Sequence, residues 1–325
     1  MHVLLRVATL ALISILAAMP WSGAGAQDYP NKPVRIIVPF GAGGPADVYA
    51  RVLAQHLGDS FKQSFVVENR PGAGAIIGTD AVAKAEPDGY TLLLMSNTHT
   101  TNESLIPNRP YELMRDFAPV SPINSSDLLM VAHPSTGVKN LQDFIALAKK
   151  DPGKLNYASS GPGTPYHMAG ELFKAMSGTN IVHVPHKSSG DMRSSVMGGH
   201  VQMMFDAITV MAQGVQSGQL IALGTTGKQR SAVMPNVPTV AEAGVPGYEA
   251  TIWLGILAPV KTPKPIIDKL NAEIVKIMNR SDVKEAWAKQ GAVPMSMSPA
   301  EFDKYIRADI EKWAQVVKVS GAKIE

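Results

Sequence analysis

The sequence contains no cysteine among its 325 residues. Disulfide bonds, thiolate metal ligands and thiol catalysis are therefore excluded, and a chain of this length can bury a stable core without cross-links. Neither sign of charge predominates, since the formal net charge is only +3 at pH 7. The sequence thus lacks the basic surface with which proteins bind nucleic acid, and no nucleic-acid partner is expected.

Motifs of hydrolases and metalloenzymes are also missing. The sequence contains no H-E-x-x-H pair and no G-x-S-x-G turn, because Ser160 lacks the preceding glycine. His183 and His186 are three positions apart in a segment predicted to be extended. They are expected to face opposite sides and not to share a metal ion. We therefore predict a protein that is not an enzyme and that has no metal site and no cofactor.

Only the N-terminus carries a long apolar run. A weakly basic start leads into the apolar segment from Val7 to Met19, which the small residues Ala24-Gly25-Ala26 follow. This order is typical of a secretory signal peptide, so we predict that residues 1–26 are cleaved after Ala26. The mature chain would carry 29 basic and 27 acidic side chains, lie in the periplasm and not insert into a membrane.

Short β-branched runs alternate with helical patterns from Val34 onward. VRIIVPF, SFVVENR and YTLLLMS predict strands, and a second series of the same kind extends from LLMVAHP to LIALGTT. Strands that alternate with helices indicate βαβ units. The predicted fold class is therefore α/β with two lobes, each a parallel-rich sheet flanked by helices.

Two extended segments are predicted to join the lobes. The chain crosses around Asn124 to Asp127 and returns around Thr251 to Gly255, and three helical stretches then pack back on the first lobe. We assign residues 27–124 and 252–325 to lobe 1 and residues 125–251 to lobe 2. Two hinge crossings around a cleft are the layout of an extracytoplasmic solute receptor.

A glycine-rich turn follows the first strand and begins a helix. Gly41, Gly43 and Ala46 match G-x-G-x-x-A, the dinucleotide fingerprint. Pro45 and the negative charge of Asp47 disfavour a diphosphate, and an exported protein meets little nicotinamide cofactor. Backbone N–H groups at a helix start suit one small anion such as a carboxylate, and a purely structural turn is the alternative. The candidate residues are Phe40, Gly41, Ala42, Gly43, Gly44 and Asp47.

A second turn of the same kind lies in the later series. NYASSGPGTPYH reads as a strand, a turn rich in serine and glycine, and the start of a helix. Hydroxyl and amide groups there would form the opposite wall of an anion site. For His167, local packing at the helix start is the alternative to a ligand contact. The candidate residues are Ser160, Gly161, Thr164 and His167.

Three further segments follow predicted strands, at the sheet edge where open α/β sheets bind ligands. The segment after YTLLLM is expected to form a loop. Lys187 is a charge partner for a carboxylate or a solvated lysine, and Asp206 either binds an amino group or caps the following helix. The candidate residues are Ser96, Asn97, Thr98, His99, His186, Lys187, Ser188 and Asp206.

Motifs along nearly the whole mature chain resemble one family. YPNKPVRIIVPFGAGGPADVYARVLAQHL, VVENRPGAGAIIGTDAVAKAEPDGYTLL and KLNYASSGPGT are similar to segments of the Bug (Bordetella uptake gene) family. Its members are the periplasmic solute-binding components of tripartite tricarboxylate transporters. The resemblance implies a Venus-flytrap receptor that binds carboxylated solutes between its lobes and delivers them to membrane components.

The resemblance also implies roles for the candidate turns. By position, Phe40 to Asp47 correspond to the lobe 1 loop that holds a ligand carboxylate, partly through ordered waters. Ser160 to Thr164 and His167 correspond to the lobe 2 loop that shares those waters. Contacts to the distal end of the ligand vary within the family. Segments at such positions here are Ser96 to His99, Lys187 to Ser189 and Asp206.

Two positions depart from the common family pattern. Ala42 stands where proline is frequent, and His186 stands where the family usually has tyrosine. His99 and His186 could donate to a second carboxylate or stack on an aromatic acid. The predicted function is a monomeric receptor that captures a small mono- or dicarboxylate, aliphatic or aromatic, for a tripartite tricarboxylate-type transporter. The alternative is a solute-sensing co-receptor for a membrane sensor kinase.

Overall fold

The computed structural model describes residues 29–322, which form ten strands and eleven α-helices. The predicted signal peptide, residues 1–26, lies outside the described residues. The strands form one ten-stranded sheet with both parallel and antiparallel pairs. This mixed α/β arrangement confirms the predicted fold class.

Lobe 1 is built on three parallel strands. They are β1 (Val34–Val38), β2 (Phe65–Asn69) and β3 (Thr91–Ser96), with β1 in the centre. The helices that follow them are α1 (Pro45–Phe61), α2 (Ile76–Ala83) and α3 (Asn97–Leu105). Every residue of β3 is buried, as its continuous apolar run predicts for a central strand. The prediction of a loop after β3 is wrong, because α3 begins directly at Asn97.

Strand β4 (Phe117–Ala132) passes through both lobes and follows the short helix α4 (Leu113–Asp116). Its first part pairs with β9 (Thr251–Pro259), which runs antiparallel beside β3. Its second part pairs with two strands of lobe 2, β7 (Met203–Ala207) and β8 (Ile221–Thr225). The first predicted crossing is therefore the middle of one continuous strand, and the second is the start of β9.

Lobe 2 repeats the parallel arrangement. Strands β5 (Asn156–Ser159), β6 (Val182–Pro185) and β7 (Met203–Ala207) are parallel, and β8 (Ile221–Thr225) is antiparallel to β4. The helices of this lobe are α5 (Leu141–Lys150), α6 (Pro165–Ser177), α7 (Ser189–Met197) and α8 (Ile208–Gln216). Its core extends from Leu128 to Ala250, whereas two further clusters fill lobe 1.

The three predicted C-terminal helices are present. They are α9 (Lys264–Met278), α10 (Ser281–Ala288) and α11 (Pro299–Ser320), and the unpredicted strand β10 (Ala292–Pro294) precedes α11. The first two pack on lobe 1, but Trp313 and Val316 of α11 cluster with Met168 of α6. The last helix therefore contacts both lobes, which the sequence pattern did not indicate. The exact domain boundaries stay a prediction.

The parallel strands of both lobes end beside the middle of β4. Ser96, at the end of β3, pairs with Leu254, which in turn pairs with Asn124 of β4. Ala207, at the end of β7, pairs with Leu128 of β4. These two positions on β4 are separated by about 13 Å, since a strand rises about 3.3 Å per residue. The carboxyl edges of the two sheets therefore converge on one short stretch of the crossing strand.

Candidate functional site

The turn after β1 is held from inside by the buried carboxylate of Asp47. Its Oδ2 accepts hydrogen bonds from Gly43 N at 2.9 Å and from Arg51 Nε at 3.1 Å. Arg51 also donates to Asn69 at 3.0 Å, and the Asn69 amide donates to the Phe40 carbonyl at 3.2 Å. Burial opposes ionisation, but the hydrogen bonds from Arg51, Gly43 and Asn69 hold the pKa of Asp47 below its usual value. Asp47 therefore supports the turn, and its charge is matched by Arg51.

This turn presents backbone groups to its surroundings. Gly41, Ala42 and Gly43 are exposed. Helix α1 begins at Pro45. Its N-cap residue is Gly44, so no side chain at that position accepts a hydrogen bond from the first N–H groups of the helix. The first N–H groups of a helix have no partner within it and carry the positive end of the helix dipole. The turn therefore has the backbone groups that an anion requires.

The turn before α6 has the same construction. Gly163 N donates to Nδ1 of His167 at 3.0 Å, as Gly43 N donates to Asp47. Pro165 is the first helical residue, and Thr164 is the N-cap. Gly161 and Gly163 have φ of 120° and 74°, which favour glycine. In both turns a side chain four positions on accepts from a glycine N–H. Local packing of His167, the alternative raised from the sequence, is therefore present.

His167 lies on a buried stack of rings. Its ring stacks on His183 with centroids 4.1 Å apart, and His183 stacks on Tyr157 at 4.9 Å. Burial and nearby Lys174 lower the pKa of His167 to about 4. Burial and the His167 ring lower the pKa of His183 to about 3. Both imidazoles are therefore neutral near pH 7, and Nδ1 of His167 serves as an acceptor.

Sequence reasoning missed the polar residues beneath this turn. Ser159 Oγ accepts from Gly161 N at 3.1 Å and lies 2.6 Å from His183 Nε2. Glu171 accepts from the Tyr157 hydroxyl at 2.5 Å and from Lys174 at 2.7 Å. The spacing of Glu171, one helical turn after His167, was the only available signal. These contacts fix the lobe 2 turn to the helix and strand behind it.

His99 is a structural residue of α3. Its Nδ1 accepts from Ser96 N at 3.1 Å, so Nε2 carries the hydrogen and donates to Thr79 Oγ1 at 3.0 Å. The ring is completely buried, which lowers the pKa of His99 to about 4. Phe40 packs edge-on against it at 5.9 Å. The expectation that His99 donates to a ligand is wrong for this arrangement, because both nitrogens are engaged.

Several buried polar atoms near the middle of β4 make no hydrogen bond within residues 29–322. Both side-chain polar atoms of Asn124, Oδ1 of Asn97 and Oγ1 of Thr98 belong to this group. Asn97 donates its Nδ2 to Thr251 O at 3.2 Å, and Ser96 accepts from Thr98 N at 3.2 Å. Buried polar groups without partners are costly. The four atoms named here lie where the two sheet edges converge, and other buried polar atoms without partners, such as Tyr111 Oη and Trp287 Nε1, lie elsewhere.

The segment after β6 offers one exposed cation. Lys187 is exposed and forms no ion pair within the described part of the chain. Ser188 is the N-cap of α7 and bonds with Asp191. Nδ1 of His186 lies 3.1 Å from the Val184 carbonyl and donates to it, which in a neutral ring leaves Nε2 as an acceptor. Nδ1 of His186 is therefore not available to a carboxylate.

Asp206 plays neither of the roles predicted for it. Its carboxylate is fully buried and accepts from Arg193 Nε at 2.5 Å and from Ala207 N at 2.8 Å. Helix α8 has no side-chain cap, so Asp206 does not provide one. The carboxylate is also not available to an amino group. Arg193, thirteen positions earlier, was not a candidate because nothing in the sequence spacing connects it with Asp206.

A third turn at the lobe 1 edge was also missed as a candidate. Four consecutive residues, Gly72 to Ala75, have positive φ, and two of them are alanines with φ of 47° and 77°. Such backbone is strained for alanine. Asn102 donates to Gly74 O at 2.8 Å and Thr79 to Ala75 O at 2.7 Å, which hold this turn in place. The sequence signal was P-G-A-G-A between a strand and a helix.

The part of the chain that the structure describes contains neither a metal cluster nor a membrane-spanning helix. Between residues 29 and 322, no three His, Cys, Asp or Glu side chains are grouped so that they could hold a metal ion. No helix in the same range is long and apolar enough to cross a membrane. The polar groups beside the middle of β4 are hydroxyls and side-chain amides, and the turn after the first strand of each lobe presents backbone N–H groups. Two lobes with such groups at facing sheet edges define the class of two-lobed solute-binding proteins.

Comparison with known proteins gives the family. Residues 49–322 match the model of the tripartite tricarboxylate transporter family receptor. The chain is 39% identical over 320 residues to protein BugT of Bordetella pertussis (strain Tohama I), which covers 97% of this chain and 98% of BugT. The chain therefore belongs to this receptor family, as the resemblance of its motifs indicated.

Solved structures have the same fold. R. palustris Rpa4515 with adipate is 33% identical, has a TM-score of 0.85, and covers 91% of this chain and 100% of its own. MatC (Rpa3494) from Rhodopseudomonas palustris with bound malate is 30% identical and has a TM-score of 0.80. The match covers 89% of this chain and 100% of the MatC chain. The fold is therefore that of the solute-binding receptors of this family.

Proposed function

We propose that this protein is a periplasmic receptor that captures a small mono- or dicarboxylate between its lobes. One ligand carboxylate lies between the turn at Phe40 to Gly44 and the turn at Ser160 to Thr164. Closure of the lobes around the ligand then presents the occupied receptor to the membrane components of a tripartite tricarboxylate-type transporter. The receptor acts as a monomer and performs no chemistry on the ligand.

Two similarly built turns, one at the carboxyl edge of the parallel strands of each lobe, carry this proposal. Each turn precedes the start of a helix of more than twelve residues, with proline as the first helical residue. Each also has a glycine N–H fixed by a buried side chain, so the turn is preorganised before a ligand arrives. Helix N-termini of this kind bind small anions through backbone N–H groups and the dipole.

The partnerless polar atoms support a ligand position between the turns. Asn124 lies at the register position of Ser96, so its amide is beside the carboxyl end of β3. Its two polar atoms, with those of Asn97 and Thr98, gain hydrogen-bond partners from a bound acid or from the water that accompanies it. The two relatives were solved with adipate and with malate, both small dicarboxylic acids, which supports a ligand of this class.

A thermal-shift and calorimetric screen tests the proposed function. Aliphatic and aromatic mono- and dicarboxylates, amino sugars, short peptides and NAD are added separately to the mature chain. At least one acid should raise the melting temperature, since a ligand at 100 times its Kd stabilises the native state by about 2.7 kcal/mol. Stabilisation by the sugars or peptides, with none by any acid, would contradict the proposal.

Two glycine variants locate the site. Gly43 and Gly178 both have positive φ, 76° and 64°, and an added Cβ meets no atom within 4 Å at either position. Ala at either position therefore introduces similar backbone strain without a clash. Gly43→Ala should weaken acid binding, whereas Gly178→Ala, at the far end of α6, should retain it. Equal affinity of the two variants would exclude the lobe 1 turn from the site.

A further inference from the structure

We propose that Arg193 binds the second carboxylate of the ligand and makes the receptor selective for dicarboxylates. This inference rests on the proposed function, since it concerns the far end of the same site. It starts from the pair that Arg193 forms with Asp206. The guanidinium donates through Nε at 2.5 Å and through Nη2 at 3.3 Å to the two carboxylate oxygens.

The pair leaves donors on the arginine but no acceptor on the aspartate. Asp206 is completely buried, and its Oδ1 also accepts a hydrogen bond from Ala207 N. The guanidinium has five N–H groups and stays charged, so three of them are not used by Asp206. The Arg193 side chain is 27% exposed, against 0% for its partner. An incoming ligand therefore meets the cation of this pair and not the anion.

Arg193 lies at the edge of lobe 2 that faces the middle of β4. Asp206 is the penultimate residue of β7, whose last residue pairs with Leu128. His186 N, just before α7, donates to the Ser159 carbonyl at 2.9 Å, so the start of α7 lies beside the turn that precedes α6. Burial and the charge of Asp206 raise the pKa of Tyr166, in the first turn of α6. The arginine is thus beside the helix start that follows the Ser160 to Thr164 turn. When one carboxylate of an extended diacid is bound at that turn, its second carboxylate lies at the same edge of lobe 2.

The surrounding charges favour a carboxylate over an ammonium group. Lys187, the other cation after β6, is exposed, and the nearby carboxylate of Asp191 bonds with the cap residue Ser188. A guanidinium held by a buried acid is oriented before binding, which reduces the entropy lost on contact. Bidentate recognition of carboxylate is the geometry for which arginine is suited.

Matched acids separate this role from a purely structural one. Adipate and hexanoate have the same chain length and differ by one carboxylate, as do succinate and butyrate. Isothermal titration at fixed pH and ionic strength should show that the wild-type protein prefers at least one diacid to its matched monoacid. Arg193→Gln should raise the Kd of that diacid at least about tenfold, the effect of one charge-assisted hydrogen bond, and change that of the monoacid little.

Three further variants control the test. Arg193→Lys should recover part of the preference for the diacid. The double variant Arg193→Gln/Asp206→Asn removes both charges. It tests the same ratio of diacid Kd to monoacid Kd if Arg193→Gln alone fails to fold around an unpaired acid. Arg230→Gln, which breaks a surface pair with Glu242 in the same lobe, should leave the ratio unchanged.

The outcomes distinguish the inference from the proposed function. An equal change for diacid and monoacid in the Arg193 variants assigns the arginine a structural role and overturns the inference. Equal affinity of wild-type protein for the members of both pairs overturns it too, while the proposed function stands. If the wild-type protein binds none of these acids and no other acid of the screen, the proposed function fails.

Discussion

Acidification should destabilise the protein through His167, and the size of the effect follows from its surroundings. An imidazole in an unfolded chain has a pKa near 6.5, whereas burial and Lys174 lower the pKa of His167 to about 4 in the folded state. At pH 5 the unfolded chain therefore binds a proton that the folded protein does not. The free energy of unfolding must fall as the pH decreases from 7 to 5.

The contribution of His167 over this interval is about 2 kcal/mol, because the unfolded form is almost fully protonated at pH 5 and the folded form is not. Other groups titrate over the same range. Burial raises the pKa of Asp127 to about 6, which acts in the opposite direction, and His99 acts in the same direction. The total pH dependence is therefore a poor test. The difference between the wild type and a variant without this imidazole isolates the contribution.

His167→Asn is the suitable variant, because its Oδ1 can replace Nδ1 as the acceptor for Gly163 N. Urea unfolding of both proteins without ligand, at pH 8, 7 and 5, gives the required free energies. The stability lost between pH 7 and 5 should be at least about 2 kcal/mol smaller in the variant. Loss of the His167 ring also removes one cause of the low pKa of His183, which adds to the difference. Between pH 8 and 7 the difference between the two proteins in free energy of unfolding should stay constant. The same acid-induced loss in both proteins would refute the reasoning.

Two other substitutions test the turns and their support. Asp47→Ala leaves Gly43 N and Arg51 without their acceptor, so the free energy of unfolding in urea should fall by about 1–3 kcal/mol and acids should bind more weakly, whereas Asp47→Asn should lose less. Wild-type affinity in Asp47→Ala would show that the lobe 1 turn does not depend on this carboxylate. Gly170→Ala places Cβ against Cε2 of buried Tyr157, and the resulting overpacking should lower the free energy of unfolding in urea by about 1–3 kcal/mol. Unchanged stability would mean that the ring can shift.

The strands and most helices could be predicted because their patterns are local. Buried parallel strands read as short apolar runs, and amphipathic stretches separate them. Helix α3 was missed because NTHTTNESL contains few strong helix formers and its capping box has His99 where glutamate or glutamine is usual. Strand β10 has only three residues, and its partner lies near Asn124, far away in the sequence. Neither element carries a local signal.

The turns of the candidate site could be located from the sequence, but the contacts of their side chains could not. A strand followed by glycines and a proline at the helix start indicates an anion-binding turn from the sequence alone. The sequence makes Asp47 a candidate ligand residue, because Arg51 and Asn69 become its neighbours only in the folded structure. Likewise, Arg193 meets Asp206 only through the packing of α7 beside β7. Pairwise contacts of this kind depend on tertiary structure and leave no spacing rule in the sequence.

The different side chains behind the two turns have one electrostatic consequence. Asp47 is ionised but paired with Arg51, and His167 is neutral because it is buried. Neither turn therefore places an uncompensated side-chain charge beside the proposed carboxylate, and attraction there comes from N–H groups and helix dipoles. Such attraction has a short range and depends on direction, so it holds one carboxylate without distinguishing what lies beyond it. Discrimination between acids must then come from the far end of the site, where Arg193 offers a charge that its partner has oriented.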